Sequence, residues 1–225
     1  MKKQVALLVD AEWFRKVLNP ALFPRPAAGA PVAPRPAITA DQFYRNACAA
    51  VDPAEEELFR FFCYDCEPFD KQQRNPVDRS WIRFGPGHPV YQERMRFFEE
   101  IGAMPFVALR RGAVKGRGWE IKETVTNQML AAPHAPAPLA PTDIKYGLEQ
   151  KGVDMRIGMD FATLSLKRLV QRIILVSGDT DMEPAIKLAR REGIQVGVVQ
   201  VGTHGRLAPV LIENADFVRT ITPVP

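Results

Sequence analysis

The stretch ILVSGDTDMEPAI, Ile174–Ile186, decides how the chain is read. It begins as an apolar run, passes through Ser177-Gly178, and then sets two carboxylates, Asp179 and Asp181, one residue apart. Like charges that close repel, so the pair needs something to offset the repulsion. Beyond it Met182, Ala185, Ile186 and Ala189 recur at helical spacing, with Pro184 in the first turn and Gly193 at the end. The pattern predicts a buried strand that runs into a helix through a carboxylate pair.

Other segments repeat this alternation. VALLVD (Val5–Asp10), IILVS (Ile173–Ser177) and VGVVQV (Val196–Val201) are continuous apolar runs, as strands buried on both faces of a parallel sheet require. LFRFFCY (Leu58–Tyr64) and PFVALR (Pro105–Arg110) read as further strands. QERMRFFEEIG (Gln92–Gly102) carries Met95, Phe98 and Ile101 at near-helical spacing. Alternating strands and helices predict an α/β fold, with helices on both faces of the sheet. Two Pro-rich segments, Asn19–Pro36 and Ala131–Pro141, break the rhythm and read as surface loops near the site's edge of the sheet. Lys71–Pro89, with Gly85-Pro86-Gly87, reads as a third loop. Core strands flank both Pro-rich segments, so one domain over residues 1–225 is expected, with insertions at about 19–38 and 131–142.

Asp10 ends the first strand, and Asp179 and Asp181 follow a later one. Ligands of parallel α/β sheets bind beyond the carboxyl ends of strands, so these acids are expected to converge there. Asp154 opens KGVDMRIGMDFATLSLKRL. Wound as a helix, this segment puts Asp154 within a broad apolar arc of Met155, Ile157, Gly158, Met159, Phe161, Leu164 and Leu169. Arg156, Asp160, Thr163 and Lys167 fall opposite. Each acid also has a structural alternative. Asp181 and Asp154 suit helix N-caps, Asp10 a strand-end turn, and Asp160 a pair with Arg156 one turn earlier. Taken together, four carboxylates at strand ends and helix starts suit Mg²⁺ or Mn²⁺, which take hard oxygen ligands and fill the rest of their shell with water.

Composition sets bounds. The chain of 225 residues has 46% hydrophobic and 25% charged residues, the proportions of a globular protein. The net charge of +4 is compatible with a polyanionic partner. Cys48, Cys63 and Cys66 are too few and odd in number for a disulfide framework, and Cys63-x-x-Cys66 lacks the second pair of a zinc site. The apolar run after Lys2-Lys3 is short and ends at Asp10, unlike a signal peptide, and no run approaches a membrane span. A cytoplasmic protein without a membrane partner is expected. His88, His134 and His204 fall in loop-like sequence and are expected at the surface.

These motifs resemble the NYN domain proteins of the PIN-like nuclease superfamily, in particular the bacterial LabA-like group. VALLVDAEWF looks like the family's first strand ending in Asp, and LFRFFCYDCEP like its second with Tyr-Asp. ERMRFFEEIGAMPFVALRRG resembles the next helix and strand, and NADF (Asn214–Phe217) a late element. KGVD (Lys151–Asp154) and SGDTDMEPAI (Ser177–Ile186) are the most specific pieces, the latter similar to the family's S-G-D-x-D-F pattern. The resemblance implies a Rossmann-like three-layer sandwich with a mainly parallel central sheet. It also implies metal-binding acids at Asp10, Asp154, Asp179 and Asp181, with Asp160 as a further catalytic candidate, and Ser177 and Thr180 orienting their neighbours. The family often has Asp-Gly-x-Asn after its first strand, where this chain has Asp10-Ala11-Glu12-Trp13; Met182 stands where Phe is usual.

The expected activity is metal-dependent hydrolysis of RNA phosphodiesters, with Mg²⁺ or Mn²⁺ as cofactor. RNA, or another single-stranded nucleic acid, would be held by Lys151, Ser177, Arg110, Arg111, Lys115 and Arg117, with Trp119 available for stacking. The structural alternative for residues 110–119 is a solvated basic hairpin. An RNA-binding or adaptor module without catalysis is the rival reading, and an Asp-x-Asp phosphatase a third, although its pair should follow an early strand. RNA substrate, metal number and oligomeric state, a homodimer included, stay open.

Overall fold

The computed structural model describes residues 2–23, 35–131 and 138–225. In chain order its elements are β1 (Lys3–Asp10), α1 (Ala11–Leu22), α2 (Ala40–Cys48), β2 (Glu56–Cys66), β3 (Gln72–Arg74), β4 (Trp81–Arg83), α3 (Pro89–Gly102) and β5 (Val107–Ile121). There follow α4 (Glu123–Ala131), β6 (Ile144–Lys151), α5 (Val153–Leu166), β7 (Arg172–Val176), α6 (Glu183–Arg191), β8 (Gln195–Val201), α7 (Pro209–Asn214) and β9 (Phe217–Ile221). The chain divides into two compact units. The first holds Met1–Asp65, Phe97–Arg111 and Gly152–Pro225; the second holds Cys66–Arg96 and Gly112–Lys151.

The first unit is an α/β sandwich on a mostly parallel sheet of order β5-β2-β1-β7-β8-β9. β1 pairs in parallel with β2 and β7, β7 with β8, and β8 with β9. Val5–Val9 and Ile173–Val176 have no solvent exposure, as their unbroken apolar runs anticipate. Strand alternation shows the layers. Phe61 of β2 packs on Phe43 and Tyr44 of α2, whereas Tyr64, of opposite parity, bonds Asp160 of α5. On the α2 side, the Phe43 ring meets Phe14 of α1 and Phe97 of α3 edge-on, at 5.0 and 5.2 Å. α6 begins with Pro184 in its first turn, and Gly193 follows it at φ 84°.

The lower ends of three strands share one buried carboxylate. Glu56 of β2 accepts a bidentate pair from Arg219 of β9, at 2.6 and 2.7 Å, and a bond from Arg172 of β7. The Asp52 N–H donates to it at 2.7 Å, and both guanidiniums lie over the Phe217 ring.

The second unit contains the β3–β4 hairpin and the antiparallel pairing of β6 with β5 from Ala113 onward. Its apolar centre is aromatic: Phe69, Phe84 and Tyr146 meet at centroid distances of 5.5 to 5.9 Å.

Some expectations need correction. Asn19 to Leu22 are the last turn of α1, not loop, and residues 24–34 lie outside the described residues. The same holds for residues 132–137, including His134, while Ala131 ends α4 and Pro141 opens a 3-10 turn. Lys71–Pro89 is not loop throughout, because it forms the β3–β4 hairpin. α5 buries Val153, Ile157, Phe161, Leu164 and Ser165, but Met155 and Met159 are 71% and 63% exposed, so the buried face is narrower than the apolar arc. Leu169 and Asp154 are likewise exposed. Among the described residues no helix is long and apolar enough to cross a membrane.

Candidate active site

The chain order around the sheet locates the site. From β1 the sheet grows one way through β2 and the other way through β7, so the β1/β7 boundary is a topological switch point. Val9 and Val176 are the last paired residues there, which makes Asp10 and Ser177 neighbours just beyond. The Ser177 hydroxyl lies 3.3 Å from Asp10 Oδ2 and accepts the Asp179 N–H at 3.2 Å. Asp10 Oδ1 caps α1 by accepting the Glu12 and Trp13 N–H groups, both at 3.1 Å. Asp179 Oδ1 caps the following 3-10 turn through the Asp181 N–H at 2.9 Å, so the cap is Asp179 and not Asp181. Asp154 stands in the first turn of α5, whose N-cap position is Gly152 at φ 81°.

The four acids feel one another. Burial pushes the Asp10 carboxyl above its ordinary value, against bonds from the Trp13 N–H and Ser177 hydroxyl, and the charges of Glu12 and Asp154 raise it further. Asp154, although exposed, is raised by partial desolvation together with the charges of Asp179 and Asp181. The carboxylate oxygens of Asp154 and Asp181 have no hydrogen-bond or ion-pair partner among the described residues. Among those residues no three His, Cys, Asp or Glu side chains form a group that could hold a metal by themselves. The cluster is open, and the donors it offers are hard carboxylate oxygens. That chemistry fits a Mg²⁺ or Mn²⁺ ion that keeps much of its water shell.

Asp160 has a different setting. Its Oδ2 accepts from the Tyr64 hydroxyl at 2.8 Å and the Arg110 Nε at 2.9 Å, and its side chain is 18% exposed. Arg156, the partner expected one turn earlier, instead donates to the Gly152 carbonyl. Arg110 also lies over the Phe62 ring, and Arg111 over Phe98. Within the second unit Arg117 and Lys151 both bind Glu149, Lys115 is exposed, and Trp119 meets Tyr146 edge-on at 5.5 Å. Cys63 and Cys66 are buried and form no disulfide.

One contact has no signal in the sequence. Trp13, at the position where the resembled family often has Asn, lies with its indole nitrogen against Gly178, so closely that a methyl group on Gly178 would overlap it. Gly178→Ala must therefore displace Trp13. We expect a shifted tryptophan emission spectrum and a stability loss of about 1–3 kcal/mol, as overpacking causes. Unchanged emission and melting would mean that the indole does not rest there in solution.

Of the comparisons with known proteins, the family model agrees with the motifs. A 69-residue segment is 32% identical to the uncharacterised protein y4oD of Sinorhizobium fredii, covering 30% of this chain and 32% of that one, so the match spans about a third of the relative's length. A crystal structure of a protein of unknown function from Vibrio parahaemolyticus aligns with a TM-score of 0.48 and 17% identity over 97% of this chain and 93% of the other. The NYN domain family model matches residues 114–222, a range that contains Asp154, Asp160, Ser177, Asp179 and Asp181, whereas Asp10 precedes it. Residues 114–222 therefore carry an NYN domain, of the family that the sequence motifs resemble.

Proposed function

We propose that the protein is a cytoplasmic, metal-dependent ribonuclease of the LabA-like type, working as a single NYN/PIN-like domain. The observation that carries this reading is the set of mutually repelling carboxylates at the β1/β7 switch point, two of them without a bonding partner among the described residues. Asp10, Asp154, Asp179 and Asp181 would hold Mg²⁺ or Mn²⁺. Such an ion, when bound, activates water and offsets charge on a phosphodiester. The protein's own part is to aim the oxygens. Ser177 holds Asp10 and the Asp179 backbone together, while the α1 and 3-10 N–H groups fix one oxygen each of Asp10 and Asp179. That leaves Asp179 Oδ2 without a hydrogen bond among the described residues, while Asp10 Oδ2 takes only the 3.3 Å bond from the Ser177 hydroxyl. Asp160, bound by Tyr64 and Arg110, is better placed to position α5 than to bind an ion.

Incubating the protein with single-stranded RNA in Mn²⁺, in Mg²⁺ and in EDTA tests this. We expect cleavage with either ion and none in EDTA. The alternative, an RNA-binding module without catalysis, is favoured by Trp13, whose indole rests on Gly178 beside the acids. Its outcome is RNA binding with no cleavage under any of the three conditions.

A further inference from the structure

The β3–β4 hairpin of the second unit has two unlike faces. Gln72 pairs with Arg83, Gln73 with Ile82 and Arg74 with Trp81. Period-two alternation sends Gln72, Arg74, Trp81 and Arg83 to one side, and Gln73 and Ile82 to the other. The first four are exposed and the other two half-buried, so the polar and aromatic side faces solvent. Trp81 is 61% exposed, a large amount of ring for a residue that generally finds cover. It is flanked by two arginines that bind no carboxylate among the described residues. Arg74 Nε donates to the Arg79 carbonyl at 3.2 Å, and the Arg83 side chain has no hydrogen bond or ion pair among those residues. The turn's own acid is engaged: Asp78 accepts the Ser80 N–H and hydroxyl at 3.0 and 2.7 Å. Gln72 and Arg83 also line a neighbouring cleft of about 440 Å³, together with Asp70 and His88.

We propose that this face binds single-stranded nucleic acid, with one base stacked on Trp81 and the adjoining phosphates held by Arg74 and Arg83. Stacking on an exposed indole accepts any base, and a guanidinium fork matches phosphate oxygens in two bonds. An acidic peptide would engage the arginines equally, but its Asp and Glu side chains bring no ring to stack on the indole, so the tryptophan between the cations favours a nucleic acid. The inference rests on RNA as the ligand of the proposed function, but not on cleavage.

The test titrates a fluorescent oligouridylate into the full-length protein in EDTA, following anisotropy, with circular dichroism to establish that each variant is folded. Trp81→Ala should weaken binding about 5- to 150-fold, while Trp81→Phe keeps most of the affinity. Arg74→Glu with Arg83→Glu should lower the salt slope by about 1.4, for two single-strand phosphate contacts. Folded variants that bind as wild type does would overturn the proposal. So would an oligoglutamate peptide that competes for the protein and loses affinity equally in Trp81→Ala. Trp81-dependent binding without Mn²⁺-dependent cleavage upholds the platform and removes the ribonuclease reading. Cleavage with binding indifferent to Trp81 does the reverse.

Discussion

Asp179→Asn should abolish Mn²⁺-dependent cleavage and leave the metal-free protein as stable as wild type or slightly more so. The substitution keeps the side chain's shape and a carbonyl oxygen, so the bond from the Asp181 N–H, 2.9 Å in the native protein, can persist. One negative charge leaves a cluster in which Asp154 is raised partly by Asp179. Relief of repulsion between surface charges is worth about 1 kcal/mol. Loss of charge at the 3-10 turn opposes it by less, because the capping bond is kept. Cleavage should fall by more than about 100-fold, the upper range for changes that only touch a metal's second shell. Wild type should gain stability from Mn²⁺ by linkage, and the variant should gain less. Melting curves of both proteins in EDTA and in Mn²⁺ decide the matter. A variant that melts clearly lower in EDTA, with the metal response of wild type, would make Asp179 a structural cap and nothing more.

Glu56→Ala should have the largest effect on stability. The Glu56 side chain has no exposed surface and sits between Arg172 and Arg219, whose side chains are 9% and 22% exposed. Removing it leaves two largely buried cations facing each other, a change that costs about 3–5 kcal/mol. For a chain of this size the melting temperature should drop by about 10 °C. A loss under about 1 kcal/mol would show that water replaces the carboxylate without penalty. The same group gives a pH signature. Burial opposes its ionisation, but the bonds from Arg219, the Asp52 N–H and Arg172 outweigh burial and lower the carboxyl from 4.5 to about 2. A lowered folded value stabilises the protein fully above pH 4.5, and that contribution is lost as pH falls from 4.5 toward 2. The span is worth about 3 kcal/mol. Glu56→Gln should flatten the acid limb of a stability profile over that window. Asp10 and Asp154 have the opposite sign: their raised carboxyls oppose folding when ionised, and the opposition fades as pH falls through the raised values.

The central strands were legible from sequence because a parallel strand covered on both faces must be apolar at every position, and Val5–Val9 and Ile173–Val176 are. The helix after the carboxylate pair was legible from Pro184 and Gly193, whose backbone limits act locally. The placement of Asp10 and Asp179 at strand ends followed from where those runs stop. What only the tertiary structure decided involves residues far apart in the chain. Asp160 bonds Tyr64 and Arg110, 96 and 50 positions away, and no helical projection of α5 could find them. The same projection overstated the buried face, because a helix with apolar residues on two stripes does not itself say which stripe meets the sheet; Met155 and Met159 are on the stripe that does not. Nothing in the local sequence marks Glu56 as buried; β7 and β9 bring Arg172 and Arg219 to it. The β3–β4 hairpin is not legible in the sequence because its strands are three residues long and turn polar side chains outward, so no apolar run announces it. Sequence patterns record local periodicity and continuous burial. Partners brought together by strand order leave no mark on them, since the energy of such a pair depends on a distance that only the folded sheet sets.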